Sequence, residues 1–109
     1  MIYHLTTHTA WQKTLDSGKE FYTAASLDTE GFIHCSYRDQ VAESANLHFE
    51  GEDELVLLHI VEKRIKEILK PELSRKGDVF PHVYGALPLE AIEEVYVLVR
   101  EKDGNFHWG

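Results

Sequence analysis

The chain has 109 residues, 43% hydrophobic and 28% charged, with a formal net charge of −8; such a length suits one domain, 1–109, burying roughly two-thirds of the surface its unfolded chain exposes. The acidic balance argues against RNA or DNA as a partner, because proteins that clamp phosphodiester backbones draw their affinity from clustered Lys and Arg. Apolar runs such as Leu55 to Leu58 are far below the roughly 20 residues of a membrane helix, and the lone Cys35 excludes a disulfide framework and a four-cysteine zinc site, so a cytoplasmic protein held together by packing is expected.

Ile2 to Thr6 is β-prone, with Ile2, His4 and Thr6 on one face and Tyr3 and Leu5 on the other. Thr9, with Gln12 three residues on, predicts a capping box for a helix from about Ala10 to Ser17 that Gly18 stops. The stretch from Phe21 to Glu30 has no clear period and is expected to be loop with some short strand. Phe32 to Cys35 predicts a strand passing directly into a helix capped by Ser36, with Val41, Ala42, Ala45 and Phe49 as its apolar stripe. Leu55 to Val61 carries the strongest strand signal and predicts the central strand, covered on both faces. Ile65, Ile68 and Leu69 have helical spacing, but Pro71 limits them to a turn. Phe80 to Gly85 is a short extended segment, Pro88 begins a brief helix through Ile92, Val95 to Arg100 alternates as a strand, and Asp103-Gly104 predicts a hairpin turn into Phe106, His107 and Trp108.

Seven histidines draw attention, since imidazole changes charge near neutral pH, moves protons and binds metals. His8, His48 and His107 fall at element ends and read as exposed, whereas His59 lies in the central strand and reads as a core residue hydrogen-bonded to a neighbour. His4, His34 and His82 each sit in or beside a strand-like segment and share a face with a hydroxyl: Thr6, Ser36 and Tyr84 respectively. Together they would suit a polar pocket with aromatic walls and are the candidate catalytic residues. Three imidazoles with an open position would also suit a catalytic metal, which makes a metal-dependent hydrolase or metal-binding protein the alternative. Against it, none of the three has local ligand spacing, so no metal is expected. Cys35 is not served by His34, because neighbours in a strand point to opposite faces. A further alternative is a non-catalytic interaction module using exposed aromatics such as Trp108 and Tyr37.

The motifs YHLTT at 3–7, GFIHCS at 31–36, LVLLHI at 55–60 and FPHVYG at 80–85, leading into LPLEAI at 87–92, resemble in order and spacing the DUF952 family of small domains. That family is similar to the ADP-ribosyltransferase fold, which includes the NAD-dependent RNA 2′-phosphotransferases. His4-Leu5-Thr6 resembles their His-Gly-Thr strand motif, His34-Cys35-Ser36 their His-Leu-Ser entry into a helix, and Leu55 to Ile60 their apolar strand. The resemblance implies an α+β domain with a split, mixed β-sheet. It also implies a cleft where His4, Thr6 and Ser36 meet NAD, ADP-ribose or a similar nucleotide, with His82 and Tyr84 on the opposite lip. Glycosyl or ADP-ribosyl transfer is the chemistry that follows. Leu5 stands where the phosphotransferase motif has glycine, and no arginine matches those that grip phosphate there, which argues against RNA 2′-phosphotransfer. Glu30 and Glu90, close to these motifs, are the candidates for the glutamate with which many ADP-ribosyltransferases stabilise an oxocarbenium-like transition state.

Overall fold

The computed structural model describes residues 1–108. The first strand, β1 (Ile2–Thr6), keeps the expected alternation. Helix α1 (His8–Ser17) starts earlier than its sequence suggested, because Thr7 and not Thr9 is the cap: it is extended and its Oγ1 accepts the Ala10 N–H at 3.1 Å. At the other end Gly18 takes the left-handed conformation, φ 70°, which few residues other than glycine adopt without strain. The stretch expected as loop holds β2 (Phe21–Tyr22) and α2 (Ala25–Thr29); a helix of five residues is too short to display a period. After β3 (Ile33–His34), Ser36 is not a helix cap. Its N–H and carbonyl pair with Tyr3 at 2.7 and 2.8 Å, which keeps it in the sheet, and Tyr37 begins a 3₁₀ turn, Arg38–Gln40, that leads into α3 (Val41–His48).

The remaining strands are β4 (Glu54–Ile60), β5 (Leu69–Leu73), β6 (Val79–Val83), β7 (Leu87–Pro88) and β8 (Ile92–Val99), with 3₁₀ turns at Glu62–Ile65 and Leu89–Ala91. They form two three-stranded sheets, β1-β4-β8 and β3-β6-β5, and a small β2-β7 ladder. The sheet is therefore split as expected, but among the described residues every strand pairing is antiparallel, not mixed. Parallel neighbours need a long crossover; β5 and β6, for example, are joined by a tight turn in which Ser74 N–H donates to Asp78 O at 2.7 Å. Strand β5 was expected as a turn because of Pro71. It is an edge strand, and Pro71 lies opposite Pro81; the Pro81 carbonyl turns towards β3, accepting from Cys35 N–H at 3.1 Å, so Pro71 sits where β6 asks for no donor.

β4 is central, with Leu55 to Leu58 and Ile60 buried. One face, with Ile2, Val56, Leu58 and Ile60, packs on Ile33, Cys35 and Val83 of the second sheet. The other face, with Tyr3, Leu57 and Leu98, is covered by Val41 and Ala45 of α3 and by Phe106. The turn at Glu101 to Gly104 forms, but no hairpin strand follows. Phe106 is fully buried instead, clamped by Asn46, whose Oδ1 accepts the Phe106 N–H at 2.7 Å and whose Nδ2 donates to the Phe106 carbonyl at 3.0 Å. Burying such a ring contributes about 1.5–3 kcal/mol, more than a frayed two-stranded ribbon in water would. Trp108 packs on Tyr3 and Tyr96, and Tyr37 packs against the first core, so neither is the free aromatic expected of an interaction surface. His59 also differs from expectation: it stacks on its cross-strand partner Tyr3 at 4.8 Å, and neither ring nitrogen has a hydrogen-bond partner.

Candidate functional site

Strand alternation places His4 and Thr6 on the inner face of β1, where β2 brings up Tyr22, a residue the sequence reading passed over. His4 Nδ1 lies 2.6 Å from the His34 carbonyl, Nε2 lies 2.8 Å from the Tyr22 hydroxyl, and that hydroxyl lies 3.0 Å from Thr6 Oγ1. Burial pushes the His4 pKa down to about 4, so the ring is neutral at pH 7. The proton positions follow. A carbonyl only accepts, so Nδ1 carries the hydrogen; Nε2 accepts from Tyr22 O–H; and Tyr22, its one proton used, accepts from Thr6 O–H. Both His4 nitrogens are thus occupied within the protein, where they tie β1 to β2 and β3.

His34 and His82 are direct partners across the β3–β6 pair, and Lys70 of β5 follows in the same row. Phe32 stacks on His82 at 4.0 Å and meets His34 edge-on at 4.7 Å, so both rings are held in place by packing. His34 Nε2 donates to Glu30 at 2.8 Å and His82 Nδ1 donates to Glu72 Oε1 at 2.8 Å. Tyr84 donates its hydroxyl to the same Glu72 oxygen. These contacts, Tyr84 first and His82 second, hold the Glu72 carboxyl below the usual carboxylate range, while Glu72 raises the Tyr84 phenol. A carboxylate anchored to one imidazole nitrogen orients the ring and sets its tautomer. The remaining nitrogen of each ring, His82 Nε2 and His34 Nδ1, has no hydrogen-bond partner among the described residues. Glu72 escapes a sequence reading because Pro71 disguises its strand; of the two candidate glutamates, Glu30 accepts from His34 while Glu90 offers its backbone carbonyl to Arg64.

One cavity of about 700 Å³ collects these groups. His4, His34 and His82 all line it, as do Thr6, Ser36, Tyr22 and the aromatic rings of Phe49 and Phe80. Ser36 Oγ donates to Ser44 Oγ at 3.2 Å, while the hydroxyls of Ser26 and Ser74, also among the lining residues, have no partner. Tyr84 does not line the cavity; its hydroxyl donates to Glu72, the carboxylate that also accepts from His82. His48, read as merely exposed, is at the cavity wall. No Lys or Arg is among the lining residues. Cys35 also lines the cavity, but burial pushes its thiol pKa far up, which makes it a poor nucleophile. A metal held by His4, His34 and His82 does not fit, since both His4 nitrogens are engaged. Among the described residues no group of three or more His, Cys, Asp or Glu side chains is placed to hold a metal ion, and no helix is long and apolar enough to cross a membrane.

Comparison with known proteins agrees with the motif order. The model of the family described as "Protein of unknown function (DUF952)" matches residues 5–95. The crystal structure of protein CC0527 from Caulobacter crescentus is 31% identical, covers 97% of this chain and 92% of its own, and superposes with a TM-score of 0.86. The solution NMR structure of CC0527 is 34% identical over 95% of this chain and 89% of its own, with a TM-score of 0.81. No curated protein matches.

Proposed function

The chain belongs to the DUF952 family, and from that premise we propose that its cavity binds a nucleotide-like small molecule of the NAD or ADP-ribose type, with His82 as the acid–base group. The observation that carries this reading is the pair of adjacent imidazoles, His34 and His82, each tied to a carboxylate through one nitrogen and left with an unpartnered nitrogen on the other side. Unprotonated, these are two neighbouring acceptors and suit a ligand that offers neighbouring donors, as the two hydroxyls of a ribose do. The aromatic and apolar walls suit a base, and the volume of about 700 Å³ accommodates a nucleoside. With no Lys or Arg lining the cavity, phosphates would be met by hydroxyls, backbone N–H groups and the N-terminal end of α1, where Thr6, Thr7 and Ala10 form the wall. The fit is therefore better for the base and ribose than for the pyrophosphate. We read the His4-Leu5-Thr6 and His34-Cys35-Ser36 motifs as counterparts of ADP-ribosyltransferase motifs, and on that reading glycosyl or ADP-ribosyl transfer is the matching chemistry. In it, an acceptor hydroxyl oxygen would bond to the ribose C1′ of NAD as the C1′–N bond breaks and nicotinamide leaves, His82 Nε2 taking the hydroxyl proton while Glu72 steadies the imidazolium.

Isothermal titration with NAD, ADP-ribose and adenosine, followed by NMR shift mapping, tests this. At least one of the three is expected to bind saturably, moving signals of Thr6, His34 and His82, and His82→Ala should weaken it about tenfold, the equivalent of about 1.4 kcal/mol. Silence from all three ligands, or equal binding by His82→Ala, overturns the proposal.

A further inference from the structure

Resting on the ligand class read above, we propose that the β5–β6 turn, residues 74–78, forms a phosphate-binding rim, with Ser74 Oγ, Arg75 and Lys76 meeting the pyrophosphate of an NAD- or ADP-ribose-type ligand. A pyrophosphate brings negative charge to a molecule of net charge −8, and no Lys or Arg lines the cavity. The base and ribose therefore belong inside, and the phosphates at an edge where a cation is both near and unengaged. Several cations are committed elsewhere. Arg38 lies over the Trp108 ring at 5.6 Å and donates to the Tyr3 hydroxyl, Arg64 donates to the Glu90 carbonyl, and Lys70 lies over the Tyr84 ring at 5.4 Å. Arg100 is held by the carbonyls of Phe49, Glu50, Glu52 and Gly104.

Arg75 and Lys76 are exposed and, among the described residues, enter no ion pair, not even with Asp78 of the same turn. They follow directly on Ser74, which is part of the cavity wall and whose buried Oγ has no hydrogen-bond partner. A buried hydroxyl left unpaired carries a cost, which a phosphate oxygen accepting its hydrogen bond would remove. Consecutive Cα atoms lie about 3.8 Å apart, so both long side chains start beside the wall, within reach of its edge. The turn itself is fixed. Ser74 N–H donates to Asp78 O at 2.7 Å, Gly77 N–H donates to Ser74 O at 3.0 Å, and Gly77 has the left-handed φ of 93° that favours glycine. One residue on, the Val79 carbonyl accepts from Gln40 Nε2 at 2.8 Å, which ties β6 to the 3₁₀ turn before α3, whose Ser44 and His48 line the same cavity. Only side chains have to move for Arg75 and Lys76 to close on a phosphate, and attraction between such exposed charges is screened by salt.

Isothermal titration of the full chain with adenosine, ADP-ribose and NAD, together with NMR shift mapping, tests the rim. The two pyrophosphate-bearing ligands are expected to bind more tightly than adenosine and to move the amides of residues 74–77, which adenosine leaves in place. Arg75→Ala combined with Lys76→Ala should weaken them about tenfold, as loss of two exposed charge pairs does, and should flatten the fall in their affinity between about 50 mM and 500 mM salt. Lys63→Ala combined with Lys102→Ala removes the same charge from two turns that do not line the cavity, and should weaken them much less. Four results overturn the rim and leave the ligand class standing: binding no tighter than that of adenosine, equal binding by the Arg75/Lys76 variant and the parent, an equal loss in the Lys63/Lys102 variant, or phosphates that move only the amides at the start of α1. Silence from all three ligands overturns the ligand class, and the rim with it.

Discussion

His4 shows how burial converts a titratable side chain into a structural one. Its folded pKa of about 4 lies below the ordinary histidine value of 6.5, so above pH 6.5 the ring is neutral in both folded and unfolded chains and costs nothing. As the pH falls towards 4 the unfolded chain binds a proton that the folded chain does not, and stability is lost by about 3 kcal/mol in that interval, levelling off below it. His4→Gln removes the titration while keeping a polar side chain. The gap in unfolding free energy between parent and variant, followed by urea denaturation from pH 7 to pH 4, should therefore close by about that amount; a constant gap would show that His4 titrates normally. The sequence made His4 a candidate catalyst because a histidine amid Thr6 and Thr7 invites that reading. What no local pattern could reveal is Tyr22, 18 residues away, whose hydroxyl closes off the second ring nitrogen. Glu72 was hidden for the same reason, since its contact with His82 exists only once β5 and β6 pair.

At the scale of elements, the legible parts were those whose signal is local and repeated. β1 and β4 declared themselves by alternation or by an uninterrupted apolar run, and α1 by its spacing and its glycine stop. β5 and α2 did not. The first has a proline at its centre that only an edge position excuses, and the second is shorter than the period by which helices are recognised. The choice between Thr7 and Thr9 as the cap of α1 turned on one backbone conformation, which sequence does not encode visibly. Thr7→Ala should cost about 1 kcal/mol of stability in a shift of the denaturation midpoint, while Thr9→Ala, changing a residue inside the first turn, should cost much less. Equal losses would contradict the capping geometry.

For the whole molecule, stability is divided between two cores on opposite faces of one thin sheet, and the face covered by α3 depends on the segment after β8. Phe106 is its keystone, held by both hydrogen bonds of Asn46 and covered by the Arg100 guanidinium at 4.4 Å from the ring centre. Phe106→Ala should destabilise the fold by about 3–5 kcal/mol, read as a lowered thermal midpoint; a shift of only a degree or two would mean that this core closes without it. The other core has the cavity at its margin, and there the walls belong to different sheets: His4 and Thr6 to β1, His34 and His82 to β3 and β6, with the Tyr3–Ser36 bridge as the join. A molecule seated in that seam touches two separately built layers at once and becomes a reversible crosslink between them. The melting temperature then becomes a chemical sensor: each tenfold rise in free ligand above its dissociation constant adds about 1.4 kcal/mol to the folded state. A library of metabolites can accordingly be sorted by the heat the protein withstands, before any reaction has been assigned to it.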